Sequence, residues 1–216
     1  MNSAFAEQNG AVIVERMIDT IHENRAYLSE IDGAIGDGDH GINMDKGFQL
    51  AKKQLAEQEV RGLRDALKTL GQVLVEEIGG SMGPLYGMFF KRMARALKNK
   101  ESVDAEVLEL MLSQAYEGIQ TLGNAKVGDK TLVDALDPAV QSVQKARSEG
   151  KSFSETIDDM IRGAETGWKS TYDLVAKIGR SSRLGERSRG ALDAGATSCY
   201  LLIKTMGEEM KKLASA

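Results

Sequence analysis

Apolar residues recur at the spacing of an α-helix along nearly the whole chain. Val14, Met17, Ile18 and Ile21 lie three or four positions apart, as the buried face of an amphipathic helix requires. No segment of useful length alternates apolar and polar residues as a strand would, and the chain has only two prolines and 5% aromatic residues. The sequence therefore predicts an all-α bundle of roughly seven to nine helices.

Six further apolar stripes and three local signals predict where the other helices lie. Pro84 is placed at a first helical position, Ser152 and Glu155 form a capping-box signature, and Pro138 inside a helical run predicts a kink or a late start. The stripes are Met44, Phe48, Ala51 and Leu55; Leu63, Ala66, Leu67, Leu70, Leu74 and Ile78; Phe89, Phe90, Met93, Ala94 and Leu97; Val107, Leu108, Met111, Ala115 and Ile119; Ile157, Met160, Ile161 and Ala164; and Cys199, Ile203 and Met206.

The composition narrows the setting of the chain. Its 216 residues, 42% hydrophobic and 28% charged, are those of an ordinary soluble protein, and we expect one domain over 1–216. A net charge of -4 gives no reason to expect nucleic acid or an anionic membrane as a partner. The segment Met1–Gly10 lacks a basic signal region, and the apolar run Ala11–Val14 is too short to span a membrane. We therefore expect a cytoplasmic protein, with Cys199 as a buried packing residue.

Three aspartates lie close together in a glycine-rich segment. Asp32, Asp37 and Asp39 fall within eight residues, and the segment 31–44 contains no Lys or Arg to balance them. Carboxylates this close repel one another unless a cation neutralises them, and an all-oxygen set of ligands suits a hard divalent ion such as Mg²⁺. The sequence therefore predicts a metal site with Asp37 and Asp39 in a loop and Asp32 at the preceding helix end.

Two other interpretations of the aspartates remain. An EF-hand fails at loop positions six and twelve, which hold Ile42 and Phe48 in place of Gly and Glu. A helix cap surrounded by surface acids is simpler, although three carboxylates exceed what a cap uses. His40 and Asn43 follow one helical turn apart, so both could meet a phosphate or a ribose at a helix start.

Three further glycine-rich junctions carry features of a phosphate site. Residues 79–87 would place backbone N–H groups ahead of a helix, although a plain interhelical turn explains them equally well. Residues 123–131 resemble a Walker A loop, but Asp129 separates the second glycine from Lys130, so a P-loop is rejected and a solvated helix start is the alternative.

The last junction is basic within an acidic protein. Residues 177–190 contain five basic residues and one acidic residue, with glycines between them. Such a segment attracts phosphate and could act as a lid over a nucleotide, the alternative being a solvated cationic loop. Thr197 and Ser198, a few residues further on, could cap a helix near the same site.

Together these features resemble the L subunit, or nucleotide-binding domain, of the dihydroxyacetone kinase family. Acids for Mg²⁺, glycine turns for phosphate and a basic flap are the parts of a phosphotransfer site. The resemblance covers nearly the whole chain and lies in residues 35–44 (IGDGDHGINM), 79–87 (GGSMGPLYG), 128–131 (GDKT), 179–188 (GRSSRLGERS) and 193–198 (DAGATS).

The resemblance implies an antiparallel up-and-down barrel of about eight helices, with ADP or ATP and two Mg²⁺ ions at one end. Asp32, Asp37 and Asp39 match the family's metal ligands, and Arg180 would clamp the phosphates during phosphoryl transfer. The nucleotide would be lined by His40, Gly41, Ile42, Asn43, Ser81, Met82, Gly123, Leu132, Arg180, Asp193, Ala194 and Gly195.

The resemblance also implies partners and leaves alternatives. A separate K subunit would hold dihydroxyacetone, so this chain alone should phosphorylate nothing, and an M subunit of the phosphotransferase system would rephosphorylate the bound ADP. The alternatives are an ATP-dependent kinase for another ketose such as a tetrulose, and a nucleotide-loaded regulator of a transcription factor. Two residues depart from the family pattern, because Met82 stands where a serine is usual and Ala194 where proline is frequent.

Overall fold

The computed structural model describes residues 4–216, and this part of the chain is almost entirely helical. Three short 3-10 segments lie at Glu7–Asn9, Thr171–Asp173 and Arg180–Ser188. The α-helices of the described part are α1 (Ala11–Glu23), α2 (Arg25–Ile35), α3 (His40–Glu57), α4 (Leu63–Glu77), α5 (Met82–Ala96), α6 (Ala105–Leu122), α7 (Val133–Ser148), α8 (Phe153–Ser170) and α9 (Ala194–Ser215). The predicted domain of 1–216 includes residues 1–3, which lie outside the described part.

The helices form a closed ring. From α2 to α9, each helix packs against the next one in the chain, and α9 packs back against α1, which also contacts α3 and α4. The predicted all-α barrel is therefore confirmed. Residues 4–216 contain nine α-helices, within the predicted range of seven to nine and one more than the eight that the resemblance implies, because a single residue, Asn24, separates α1 from α2.

The predicted apolar stripes line the inside of this ring. Val14, Ile18 and Ile21 of α1 are fully buried, and the members of the other stripes are buried as well, apart from Ile161, which is partly buried. Cys199 is buried too, and burial raises the pKa of its thiol to about 12, so it is the packing residue that the sequence predicts.

The helix signals are confirmed in part. Ser152 caps α8 in a complete capping box with Glu155. Of the kink or late start expected at Pro138, the late start is wrong, because α7 begins at Val133 and continues through the proline. The carbonyl of Asp134, which an N–H at Pro138 would reach, lies against Gly167 of α8, where an added Cβ would be 1.8 Å from that oxygen. Close packing of α7 on α8 thus covers the gap that proline leaves in the helix.

One element is missing from the sequence prediction. Strands β1 (Ala4–Ala6) and β2 (Ser102–Asp104) pair antiparallel, with Phe5 opposite Val103 and both side chains buried. Runs of three residues are too short to show alternation in a sequence. Within residues 4–216, no helix is both long and apolar enough to cross a membrane.

Candidate functional site

The three predicted metal ligands converge in the structure. Asp32 lies on the last turn of α2, while Asp37 and Asp39 belong to the loop that leads into α3. One carboxylate oxygen from each residue lies within 4.8 Å of the other two. Gly38, between the two loop aspartates, has a φ of 76°, a backbone conformation that glycine adopts without strain. We refer to these three side chains as the aspartate cluster.

Close packing of α3 on α2 holds the cluster together. At Gly41, an added Cβ would lie 2.0 Å from the carbonyl oxygen of Arg25, so only glycine allows this approach. The contact places the first turn of α3 beside Asp32, and the backbone N–H of His40 donates to Asp32 Oδ2 at 3.2 Å. Gly41 is therefore a packing residue of the site, and its predicted contact with a nucleotide stays a prediction.

A basic residue balances the cluster from elsewhere in the chain. Arg180 forms an ion pair with Asp37 and lies 3.9 Å from Asp39, measured from Nη1 to Oδ2. The expectation that no Lys or Arg balances the aspartates therefore holds only for the local sequence. The side chains of Arg180, Asp37 and Asp39 are 60%, 44% and 51% exposed, so the cluster lies open to a ligand from solvent.

The basic segment forms a loop that brings Arg180 to the cluster, and the two ends of this loop are held together. We call residues 174–191, between α8 and α9, the arginine loop. Lys130 is 2% exposed and binds three carbonyl oxygens of this loop with its ammonium group. Lys130 is therefore not a Walker lysine, and the alternative of a solvated helix start is wrong as well. Burial lowers the pKa of Lys130.

Behind the cluster, a chain of hydrogen bonds joins α3, α5 and α9. His40 Nε2 lies 2.9 Å from Ser198 Oγ, which lies 2.6 Å from the hydroxyl of Tyr86, and that hydroxyl donates to the carbonyl of Gly195 at 3.1 Å. Burial lowers the pKa of His40 and raises the pKa of Tyr86 well above 10, so both are neutral at pH 7. The bond between His40 and Ser198 thus joins the start of α3 to the start of α9.

The predicted caps of α9 are wrong. Asp193 caps this helix by accepting from the backbone N–H of Ala196 at 2.7 Å. Thr197 and Ser198 lie inside the helix and are buried. Their hydroxyls form hydrogen bonds with Trp168 and Tyr86 and do not cap the helix. A one-residue preference for a cap cannot reveal which of several polar residues begins the helix.

We expect Tyr86→Phe to destabilise the protein by about 1–2 kcal/mol, because Ser198 and the Gly195 carbonyl each lose a buried partner. Chemical denaturation would measure this change. The matched control is Tyr27→Phe on α2, where the side chain is 40% exposed and the change should stay within about 0.5 kcal/mol. Equal effects of the two substitutions would contradict a role for the hydrogen-bonded chain.

A second group of predicted residues gathers at the start of α9. Gly195 lies against Leu132, with an added Cβ 3.5 Å from the backbone nitrogen of Leu132 and 3.1 Å from Asp193 Oδ2. Ala194 is buried between these positions in the chain. Burial raises the pKa of Asp193 to about 7, and the nearby carboxylate of Asp134 adds to this effect. The Tyr86 hydroxyl joins this group to His40 and so to the aspartate cluster.

The remaining predicted residues stand further apart. Ser81 is exposed at the N-cap of α5 without a side-chain capping bond, and Met82 begins the helix and packs partly on the core. Ile42 is 58% exposed beside Asn43 on the first turn of α3, and Gly123 ends α6. Within residues 4–216, no hydrogen bond or ion pair joins Ser81, Met82 or Gly123 to the aspartates, so these contacts remain predictions.

The barrel with carboxylates at one end matches a known family. Residues 34–208 match the DAK2 domain family, a span that includes the aspartate cluster except Asp32, the arginine loop and most of α9. This chain therefore belongs to the DAK2 domain family.

Among its relatives are free-standing kinase subunits. The chain is 41% identical to the ADP-binding subunit DhaL of the PEP-dependent dihydroxyacetone kinase 1 of Listeria innocua, over 86% of this chain and 88% of that protein. It is 35% identical to the DhaL subunit of the PEP-dependent kinase of Escherichia coli, over 86% and 89% of the two chains. It is also 33% identical to a D-erythrulose kinase of Mycolicibacterium smegmatis, but this match covers 92% of this chain and 35% of that enzyme.

Solved structures share the fold. The dihydroxyacetone kinase of C. freundii in its native form is 25% identical, with a TM-score of 0.68 over 92% of this chain and 34% of that enzyme. The same kinase crystallised with AMP-PNP and Mg²⁺ also gives a TM-score of 0.68, at 24% identity over 97% and 35% of the two chains. Both confirm the helical architecture, as part of a longer chain.

Proposed function

We propose that this chain is the nucleotide-binding subunit of a dihydroxyacetone kinase, acting as one domain that binds ADP or ATP with two Mg²⁺ ions. The observation that carries the proposal is the meeting of Asp32, Asp37 and Asp39 with Arg180 at the helix starts of a DAK2 barrel. Relatives that match over nearly their whole length are named ADP-binding subunits of such kinases, which supports the nucleotide.

The donor set fits Mg²⁺. Three carboxylates supply oxygen ligands within 4.8 Å of one another, whereas the soft or nitrogen ligands that zinc prefers do not belong to this cluster. His40, the nearest imidazole, is engaged with Ser198 through Nε2. Bound Mg²⁺ would neutralise the charge on the phosphate oxygens of a nucleotide.

The chain's own residues would bind and orient the diphosphate. Arg180 can donate to phosphate oxygens from a loop whose glycines permit it to close over them. The backbone N–H groups at the start of α9 and in the turn before α5 would also donate to phosphate oxygens, because helix N-termini favour anions. His40 and Tyr86, through their bonds to Ser198, would hold α3, α5 and α9 in register around the ligand.

The second substrate and the partners follow from the family. We infer that a separate K subunit holds the dihydroxyacetone and that this chain delivers the phosphoryl group to its hydroxyl. A relative from Lactococcus lactis, 35% identical, is named as a subunit of a PTS-dependent dihydroxyacetone kinase, which supports rephosphorylation of bound ADP by a phosphotransferase-system M subunit. A cytoplasmic location goes with such partners.

Native mass spectrometry tests the ligands directly. Gently purified protein should carry one ADP and two Mg²⁺ ions, and excess EDTA should release both, because the carboxylates and the diphosphate repel one another without the cation. The control is the same exchange with EDTA already saturated by Mg²⁺, which should leave the complex intact. ADP that stays bound after complete removal of metal would contradict the proposed site.

A kinase for another ketose is the second candidate. The observation that supports it is the 33% identity with a D-erythrulose kinase. The 41% identity with a dihydroxyacetone kinase subunit keeps it in second place. Assays of this chain with its K-type partner, offering dihydroxyacetone or erythrulose and either ATP or an M-type donor, separate the two. Should affinity capture recover a transcription factor and no K-type protein, the regulatory alternative would replace both.

A further inference from the structure

The two ends of the arginine loop, which we call its neck, are bound by one buried side chain. The Lys130 ammonium donates to the carbonyl oxygens of Leu174 at 3.1 Å, Ser188 at 2.6 Å and Ala191 at 2.7 Å. Leu174 begins the loop, while Ser188 and Ala191 belong to its returning end. One cation therefore joins both ends, and it matches its three donors to three acceptors.

Further bonds close the same neck. The Ser188 hydroxyl accepts from the backbone N–H of Ala176 at 2.9 Å, and the N–H of Gly190 donates to the carbonyl of Tyr172 at 2.8 Å. Beyond the neck, Gly179 and Gly185 have φ values of 77° and 54°, so the tip is built from backbone conformations that favour glycine. The loop thus has a tied base and an exposed tip that carries Arg180.

Lys130 is itself held in place. Its φ is 63°, in the left-handed region that a lysine rarely adopts. The carboxylate of Asp134 accepts from the N–H groups of Gly128 at 2.6 Å and Thr131 at 2.7 Å, on either side of the lysine. These two bonds fix the turn that aims the lysine into the neck, and such a strained residue persists only where its surroundings require it.

We propose that Lys130 is a positioning residue, which fixes the arginine loop so that Arg180 lies over the aspartate cluster. The proposal rests on the proposed function in one respect, because Arg180 acts on a phosphate only if the site binds a nucleotide. Without the ammonium group, three carbonyl oxygens lose a charged donor, and the two ends of the loop are free to separate.

Trypsin tests the anchoring without any ligand. The loop offers five cleavage sites, after Lys177, Arg180, Arg183, Arg187 and Arg189, and mass spectrometry assigns each cut. Lys130→Met should accelerate cleavage in the loop on the order of tenfold or more under native conditions, while the matched control Lys126→Met, an exposed lysine of the same connection, leaves it unchanged. Equal cleavage rates in the two variants overturn the proposal.

A double-mutant cycle tests the action through Arg180. Lys130→Met should speed dissociation of ADP in the presence of Mg²⁺ by about tenfold in the parent protein, but hardly at all when Arg180 is already alanine. A lysine that only stabilises the fold would give the same change in both backgrounds, and that additive result overturns the positioning role. If neither protein binds ADP, the proposed function fails while the trypsin comparison still decides the anchoring.

A milder variant tests the anchoring of the loop in case Lys130→Met folds poorly. Ser188→Ala removes the hydroxyl that accepts from the Ala176 amide and donates to the Gly185 carbonyl, and it leaves the lysine intact. Loop cleavage should rise about threefold, with a thermal midpoint close to that of the parent. Unchanged cleavage in this variant overturns the tied neck.

Discussion

Replacing Asp39 with alanine should weaken the binding of ADP in the presence of Mg²⁺ on the order of a hundredfold or more. Asp39 contributes one of the three carboxylate oxygens that lie within 4.8 Å of one another. Its removal takes away a metal ligand and leaves two, and the diphosphate loses the cation that allows it to approach the remaining acids. Isothermal titration calorimetry measures the change.

The fold of the Asp39→Ala variant should be unaffected. The side chain is half exposed, and in the free protein its charge faces those of Asp32 and Asp37 as well as that of Arg180, so relieved repulsion offsets the lost exposed ion pair. We expect the free energy of unfolding without ligand to stay within about 0.5 kcal/mol of the parent value. Weak binding with intact stability is the signature of a ligand residue rather than a structural one.

Two comparison variants sharpen this result. Asp65→Ala removes an exposed aspartate that pairs with Arg64 on α4, and it should leave the affinity for ADP unchanged. Asp39→Asn keeps the size of the side chain and removes its charge, so it should bind nearly as weakly as the alanine variant if the carboxylate is a Mg²⁺ ligand. Parent-like affinity in the asparagine variant would show that Asp39 acts through shape alone.

The fold could be predicted because its information is local. Seven of the nine α-helices in residues 4–216 were predicted from an apolar stripe that repeats every three or four residues, the exceptions being α2 and α7. Ser152 with Glu155 also marks the start of α8, by a bond that spans three residues. The pairing of β1 with β2 joins segments about a hundred residues apart in the chain, and three residues per strand are too few to show a pattern.

Only the local part of the candidate site could be predicted from the sequence. Three acids within eight residues predict their own convergence, and the structure confirms it. The ion pair of Arg180 with Asp37 and the grip of Lys130 on the arginine loop depend on how distant segments pack. One signal was available for Lys130, namely a lysine beside Gly128 and Asp129 in a turn, but a sequence cannot show that its ammonium group is buried.

Arg180→Ala should lower the rate of phosphoryl transfer on the order of a thousandfold, the effect typical of an arginine that stabilises a transferring phosphoryl group. The structure places this guanidinium on the aspartate cluster, against Asp37 and Asp39. Turnover would be measured with the K-type partner and its donor at saturating ketose. Arg183→Ala is the matched control, because Arg183 is an exposed arginine of the same loop, and we expect less than a twofold change.

A competing role for Arg180 predicts a different pattern. If the arginine only balanced the aspartates in the free protein, its removal would free Asp37 for the metal, so Mg²⁺ would bind more tightly and turnover would be retained. For an arginine that acts on the phosphate, turnover falls steeply while the affinity for Mg²⁺ without nucleotide does not fall.

Arg180→Lys separates the roles further: the charge beside Asp37 is kept, but the planar two-pronged donor is lost, so turnover should remain low. Parent-like turnover in the lysine variant would assign Arg180 to charge balance alone.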